Sequence, residues 1–250
     1  SSAASDVYKR QIVDFDMRLI DLFKEIDKKK LTLKMQIRQE YYRVKELLDG
    51  KRPSRMDLFT YMDDDIYRIC VSGSHAKENP FQHYLDFLYE LGELSEDEQK
   101  LYAGIGREFI QTIETTEMQK VYKMPILYSF YNHGNIRLAV TDEEVLESWK
   151  EFFDTGTNWK DFPNVNTYED YKKVTDKQHL SKAKRMPIRF LKASGKGFFV
   201  EKDGYALALR DEIGEAVGNM AFGEQMGDVL GYRSLEYYRR RYKKNRSEGD

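Results

Sequence analysis

Apolar residues return every three or four positions along most of the chain, so helices are the first expectation. Ile12, Phe15, Leu19, Leu22, Phe23 and Ile26 form one such stripe, the mark of an amphipathic helix. Lys28, Lys29 and Lys30 follow it, where cations suit the negative end of the helix dipole. A second helix is expected over roughly 31–48, ending at Gly50. Pro53 precedes Ser54, which reads as the cap of a short helix over 55–59. Helix, tight turn and helix over 31–61 are compatible with a helix-turn-helix and equally with a plain helical hairpin. Residues 72–80, SGSHAKENP, break the period and read as a loop. Phe81, Tyr84, Leu85, Leu88 and Tyr89 resume it. Ser95 with Glu98 has the spacing of a capping box and opens a helix through about Thr115. Thr141 with Glu144 repeats that spacing ahead of VLESWKEFF, and Thr167 with Asp170 resembles a third instance. Pro125 in YKMPILYSFY either begins or kinks a helix. Residues 154–166, DTGTNWKDFPNVN, are rich in turn formers and read as a long ordered loop.

The period changes to two at GKGFFVEKDGYALAL (195–209). FFVE and YALAL flank Lys-Asp-Gly, and Asp203-Gly204 is a tight-hairpin signal. Two strands alone are marginal in water, so the hairpin at about 198–209 has to pack on helices. Attached to a helical body, it has the place of a wing in a winged-helix unit. Gly214, Gly218, Gly223, Gly227 and Gly231 follow in helix-like sequence. Each costs about 1 kcal/mol relative to Ala inside a helix. Either helices cross closely there or the segment is weakly ordered. The expected fold class is mainly α: a multi-helical region with one β-hairpin, compatible with helix-turn-helix or winged-helix-like parts. No repeat or low-complexity linker marks a boundary. The softest division leaves an acidic helical region over 12–120 and, over 121–250, a helical region with the hairpin and a basic C-terminal helix.

Residues 1–11, SSAASDVYKRQ, carry no hydrophobic period. They resemble, codon for codon, the translation of a transposon adapter used in sequencing libraries. The segment is therefore read as an artefactual leader and set aside from the fold. On that reading the natural protein begins upstream of Ile12, and the chain is expected to be a fragment.

Charge divides the chain. Residues 12–170 carry a net charge of −10 and residues 171–250 a net of +7. An acidic body with a basic final third points to a polyanion or to contact between the two parts. The single cysteine, Cys70, rules out an intrachain disulfide and a cysteine-rich zinc site. No stretch approaches the ~20 apolar residues of a membrane span. With no signal peptide in view, a cytoplasmic location is expected.

Catalytic motifs fail on spacing. SGKG (194–197) lacks the glycine spacing and the following hydroxyl of a phosphate-binding loop. Its glycines read as a turn into the hairpin. His75, His83, His133 and His179 form no metal-ligand spacing and read as surface or capping residues. His133, in YNHGN, is the best placed for a further role. Asp63, Asp64 and Asp65 read as an acidic turn or helix cap. The basic third carries the functional signal. Lys182, Lys184, Arg185, Arg189, Lys192 and Lys196 crowd one segment, and Arg239, Arg240, Arg241, Lys243 and Lys244 another. Such groups neutralise phosphates and release counterions. Interleaved Tyr237, Tyr238 and Tyr242 offer stacking on unpaired bases. A solvated basic face, pairing in part with the acidic body, explains the same residues.

DFDMRLIDLFKEI, GKRPSRMDLFTYMDDDIY, ESWKEFFDTGTNWKDF and MPIRFLKASGKGFFVEKDGYALALRDE together give the chain a resemblance. It resembles the C-terminal, post-motor region of bacterial superfamily 2 DEAD/DEAH-box helicases of the restriction or phage-defence type. The resemblance covers most of residues 12–244. It implies a parent that hydrolyses ATP while acting on nucleic acid, DNA above all. The family's phosphate-binding loop, DEAD/DEAH motif and arginine fingers have no counterpart in these residues, so no catalytic residue carries over. ATP and magnesium belong, on this resemblance, to motor lobes outside the chain. What the chain contributes is nucleic-acid binding beside those lobes. Two other classes stay open: a scaffold docking the motor or a partner subunit, and an enzyme in its own right. A deep pocket joining His133 to an Asp or Glu is the feature that would favour the last.

Overall fold

Thr141 and Glu144 show how this chain sets its helix starts. Thr141 Oγ1 accepts the Glu144 N–H, and the Glu144 carboxylate accepts the Thr141 N–H. The first turn of a helix otherwise leaves these donors without partners, and Asp142–Asp154 begins here. The same reciprocal pair opens Glu96–Ala103 at Ser95 with Glu98, and Asp176–Ala183 at Thr175 with Gln178. Thr167 caps Tyr168–Lys172 by accepting the Asp170 N–H. Ser54 and Asp57 bond reciprocally at the start of Arg55–Tyr61. This computed structural model, which describes residues 3–7, 9, 17–23 and 31–247, is mainly helical with one small antiparallel sheet. Residues 3–7, 9 and 17–23 have helical backbone. Leu19, Leu22 and Phe23 of the first expected stripe are exposed; Ile12, Phe15, Ile26 and Lys28 to Lys30 lie outside the described residues.

The chain separates into two compact units, Ser1–Lys51 with Tyr61–Glu78, and Arg52–Thr60 with Asn79–Asp250. This differs from the division expected near residue 120. Ile105–Thr115 and Lys123–Tyr131, either side of that point, both pack on the long helix Met220–Ser247.

In the first unit, Leu33–Leu47 packs against Asp64–Cys70. Ile37, Tyr41 and Val44, three and four apart, are buried. Glu40 ties the two helices together by pairing with Arg43 at 2.8 Å and accepting the Asp63 N–H at 2.8 Å. Burial works against its charge, but Arg43 and the Asp63 N–H win, and its carboxyl sits below the usual range. Asp63 itself caps Asp64–Cys70 through the N–H groups of Asp65 and Ile66. The two helices over 31–61, compatible with a helix-turn-helix or a plain hairpin, fall into different units, since residues 55–60 belong to the second. Leu33–Leu47 takes Asp64–Cys70 as its partner instead.

The second unit is organised on Met220–Ser247. Gly223, Gly227 and Gly231 lie four apart along it. A Cβ at Gly223 would stand 3.2 Å from the Gly134 carbonyl, and one at Gly231 3.3 Å from Met56 Sδ. A Cβ at Gly227 would overlap the Tyr131 hydroxyl. Close crossing is thus the reason for these glycines. The helix expected from Ser95 to Thr115 is two helices: Gly104 is extended at φ −109°, ψ −175°, and separates Glu96–Ala103 from Ile105–Thr115. Pro125 lies in the first turn of Lys123–Tyr131, where its missing N–H deprives no carbonyl.

The sheet has the order β1-β3-β2, with β1 Ala139–Val140, β2 Phe199–Val200 and β3 Leu207–Leu209. Val200 pairs with Ala208, so the hairpin connection is longer than a two-residue turn. A tight turn does form at Asp203-Gly204, closed by the Tyr205 N–H on Lys202 O at 3.1 Å. Leu207, Ala208 and Leu209 are all buried, while residues 201–205 are exposed. The hairpin is therefore a core element with an exposed tip, not a projecting wing.

Candidate functional site

Lys182, Lys184, Arg185, Arg189 and Lys192 ride on consecutive helical segments. Asp176–Ala183 passes into a π turn at Lys184–Ile188 and continues as Arg189–Ser194. Pro187 lies inside that π turn. Proline donates no N–H and its ring crowds the carbonyl four residues back; a wider turn relieves both problems. Lys196 then takes a left-handed φ of 51° and Gly197 one of 76°, turning the chain toward β2.

The cations have different fates. Lys184 Nζ pairs with Asp142 at 2.7 Å, and Lys192 Nζ with Glu201 at 2.9 Å. Arg189 lies over the Phe190 ring at 5.2 Å and Arg239 over Phe59 at 5.0 Å. Arg240 pairs with Glu236, and Arg241 with the buried Asp161. Lys196 and Lys243 are exposed. The tyrosines expected to stack on bases are mostly engaged too. Tyr237 is 7% exposed and donates to Asp161 at 3.3 Å, which leaves no free ring face. Tyr242 is exposed, with its hydroxyl bonded to Thr157 at 2.9 Å.

Lys182 and Arg185 instead join Lys173 and Lys177 around a cleft of about 610 Å³. Asp176–Ala183 forms one wall, and the chain from Phe162 to Val165 another. Arg185 Nε donates to Ser181 Oγ at 3.2 Å, which fixes the guanidinium beside the opening. Asp170 is the one acid among the lining residues. Four cations around one carboxylate suit an anionic ligand. Lys173 and Lys177 were not among the expected residues. Their charge counts toward the basic third: Lys177 lies on the same helix as Lys182, and Lys173 caps the end of the helix before it.

Aromatic rings pack against Phe162, which lines this cleft. Phe162 stands 5.0 Å from the His179 ring, and Tyr171 5.7 Å from it. His179 is not the surface or capping residue expected: it is buried, and Trp149 Nε1–H donates to its Nδ1 at 3.2 Å. Burial, helped by Lys150, holds its pKa below the ordinary histidine value.

His133 occupies a second cavity, of about 470 Å³, which also holds Glu144, Glu147 and Glu151. His133 Nε2 is 3.7 Å from Glu151, beyond hydrogen-bond reach. Of the serines lining it, Ser129 donates to Ile126 O and Ser148 to Pro125 O, at 2.5 and 2.7 Å, while the Ser234 hydroxyl meets no hydrogen-bond partner. The pocket that would favour an enzyme is present, but its groups form no nucleophile–base pair. Cys70 is buried, and burial together with Glu78 pushes its thiol up to about 12, far from a reactive thiolate.

Among the described residues, no three His, Cys, Asp or Glu side chains converge as a metal site, and no helix is long and apolar enough to cross a membrane. No protein-family model, curated protein or solved structure matches this chain.

Proposed function

We propose that this chain is a nucleic-acid-binding accessory region, and that it grips phosphates in the cleft of Lys173, Lys177, Lys182 and Arg185. The observation that carries the reading is the charge of that lining, four cations against Asp170 alone. Phosphate contacts of this kind give affinity without base selection. Placement beside the motor lobes of an ATP-driven DEAD/DEAH-box helicase rests on the four sequence stretches that resemble that family. The second reading, a scaffold that docks a protein, draws on Leu19, Ile20, Leu22 and Phe23, each at least 40% exposed.

Fluorescence anisotropy with labelled duplex and single-stranded DNA tests the proposal. Affinity is expected to fall steeply with salt, by about −0.9 in log K per log salt for each duplex phosphate engaged. Substituting Lys177→Glu, Lys182→Glu and Arg185→Glu together is expected to weaken binding to all sequences alike and to flatten the salt slope by roughly 2–3. A folded protein that binds no DNA at 50 mM salt overturns the reading and favours the scaffold.

A further inference from the structure

The cavity at His133 has the opposite electrical character to the cleft. Its shape comes from one chain reversal. Lys123–Tyr131 ends in three successive left-handed residues, Asn132 at φ 47°, His133 at 53° and Gly134 at 93°. Non-glycine residues adopt this conformation reluctantly, and two in a row mark a site that its surroundings enforce. The reversal lets Arg137 N–H donate to Phe130 O at 2.8 Å and brings Arg137 Nε to Glu144 at 2.5 Å.

That pair neutralises Glu144. Glu147 and Glu151 remain, four apart on the exposed side of Asp142–Asp154, with His133 Nε2 3.7 Å from Glu151. The opposite character of the lining is aromatic. Tyr128 stands 6.2 Å from both Tyr131 and Phe152, ring centre to ring centre, and Tyr238 lines the cavity from the long helix. The Tyr238 hydroxyl is shielded from solvent and meets no hydrogen-bond partner.

We propose that this cavity binds a protonated organic amine, an ammonium group carried on a short apolar or aromatic body. Each half of that ligand has its counterpart. Ring faces attract cations through their quadrupole, more so once desolvated, and Glu147 and Glu151 supply the negative charge. The idle Tyr238 oxygen accepts one ammonium N–H. A bare metal ion is the wrong occupant, because no three acidic or histidine ligands converge here; aromatic walls beside exposed carboxylates suit a cation carried on an apolar body. A cavity of 470 Å³ lies in the range that accommodates small organic ligands. The site is independent of the phosphate cleft, sharing no lining residue with it.

Titration of the full chain with 2-phenylethylamine and with its uncharged counterpart 2-phenylethanol, at pH 8 where histidine is neutral, tests this. Calorimetry and proton–nitrogen NMR shifts report binding. The amine is expected to bind at least tenfold more tightly than the alcohol and to shift amides of residues 128–138 and 144–155. The exposed pair Glu147→Gln with Glu151→Gln is expected to lose about tenfold for the amine and nothing for the alcohol. Tyr238→Phe is expected to lose about threefold. Equal binding of amine and alcohol overturns the proposal. So does an amine affinity unchanged in the double glutamine variant, or no saturation by either compound up to 10 mM.

Discussion

A buried histidine that accepts a hydrogen bond can be protonated only by breaking it. His179 is 3% exposed, and its Nδ1 must be bare to receive Trp149 Nε1–H. The neutral ring, protonated on Nε2, is the form that fits. Burial and Lys150 lower its pKa in the folded protein, so the unfolded chain binds this proton more readily. The sign follows from linkage: the stabilisation is complete above the unfolded value of about 6.5 and is lost as pH falls from there through the lowered folded value. Melting temperature is expected to drop between pH 7.5 and 5.5, and His179→Gln, whose amide oxygen can still accept from Trp149, is expected to flatten that drop while lowering stability at pH 7.5. Thermal melts across the range check it, and parallel slopes for the two proteins would contradict it. Nothing in the sequence around KQHLSK distinguishes this histidine from a surface one. Its partners Trp149 and Phe162 come from distant turns of chain, and only packing brings them to it.

At the scale of the element, local rules were legible and pairings across the chain were not. Capping boxes at Ser95 and Thr141 could be read directly, because the whole interaction lies within four residues. The Thr175 box, with Gln in the third position, obeys the same local rule. β1 is two residues long and pairs Ala139 with Ala208, a partner 69 positions away that no periodicity announces. The glycines divide by environment in the same way. A Cβ at Gly195 would stand 2.5 Å from the Leu191 carbonyl and 2.4 Å from the Phe199 ring, whereas Gly218 has open space around it at φ −73°. Gly195→Ala is therefore expected to destabilise by roughly 1–3 kcal/mol, the range for overpacking. Gly218→Ala is expected to stabilise by about 0.4–1 kcal/mol by restricting the unfolded chain. Urea midpoints of the two variants should move in opposite directions. Equal shifts would mean that the turn into β2 can open without cost.

For the whole molecule, the part of the sequence hardest to read is the short piece 52–60, which belongs to the second unit although residues 61–78 do not. Arg55 is completely buried there. Its Nε reaches Glu114 at 3.0 Å, and its terminal nitrogen reaches Asp228 at 2.9 Å and Gln225 at 2.8 Å. Asp228 also accepts the Arg55 and Met56 N–H groups and so caps Arg55–Tyr61 from 173 residues away. Gln225 passes the network on to Glu98, which pairs with Arg52. Burial opposes the Arg55 charge, but Glu114 and Asp228 keep the guanidinium protonated. Arg55 looked like the first residue of a small capped helix, and local pattern could say no more, because its role is defined by residues on two other helices. The consequence is a rule for dissecting the chain. Removing one partner of a buried pair costs about 3–5 kcal/mol, against a total stability of about 5–15 kcal/mol for a domain. A polypeptide spanning 79–250 would leave Glu114, Asp228 and Glu98 without their arginines, and it is expected to show no cooperative melt. One spanning 52–250 restores both arginines and is expected to melt cooperatively. Circular dichroism melts of the two decide the matter: a cooperative transition in 79–250 at the same temperature as in 52–250 would show that the arginines contribute nothing to the second unit.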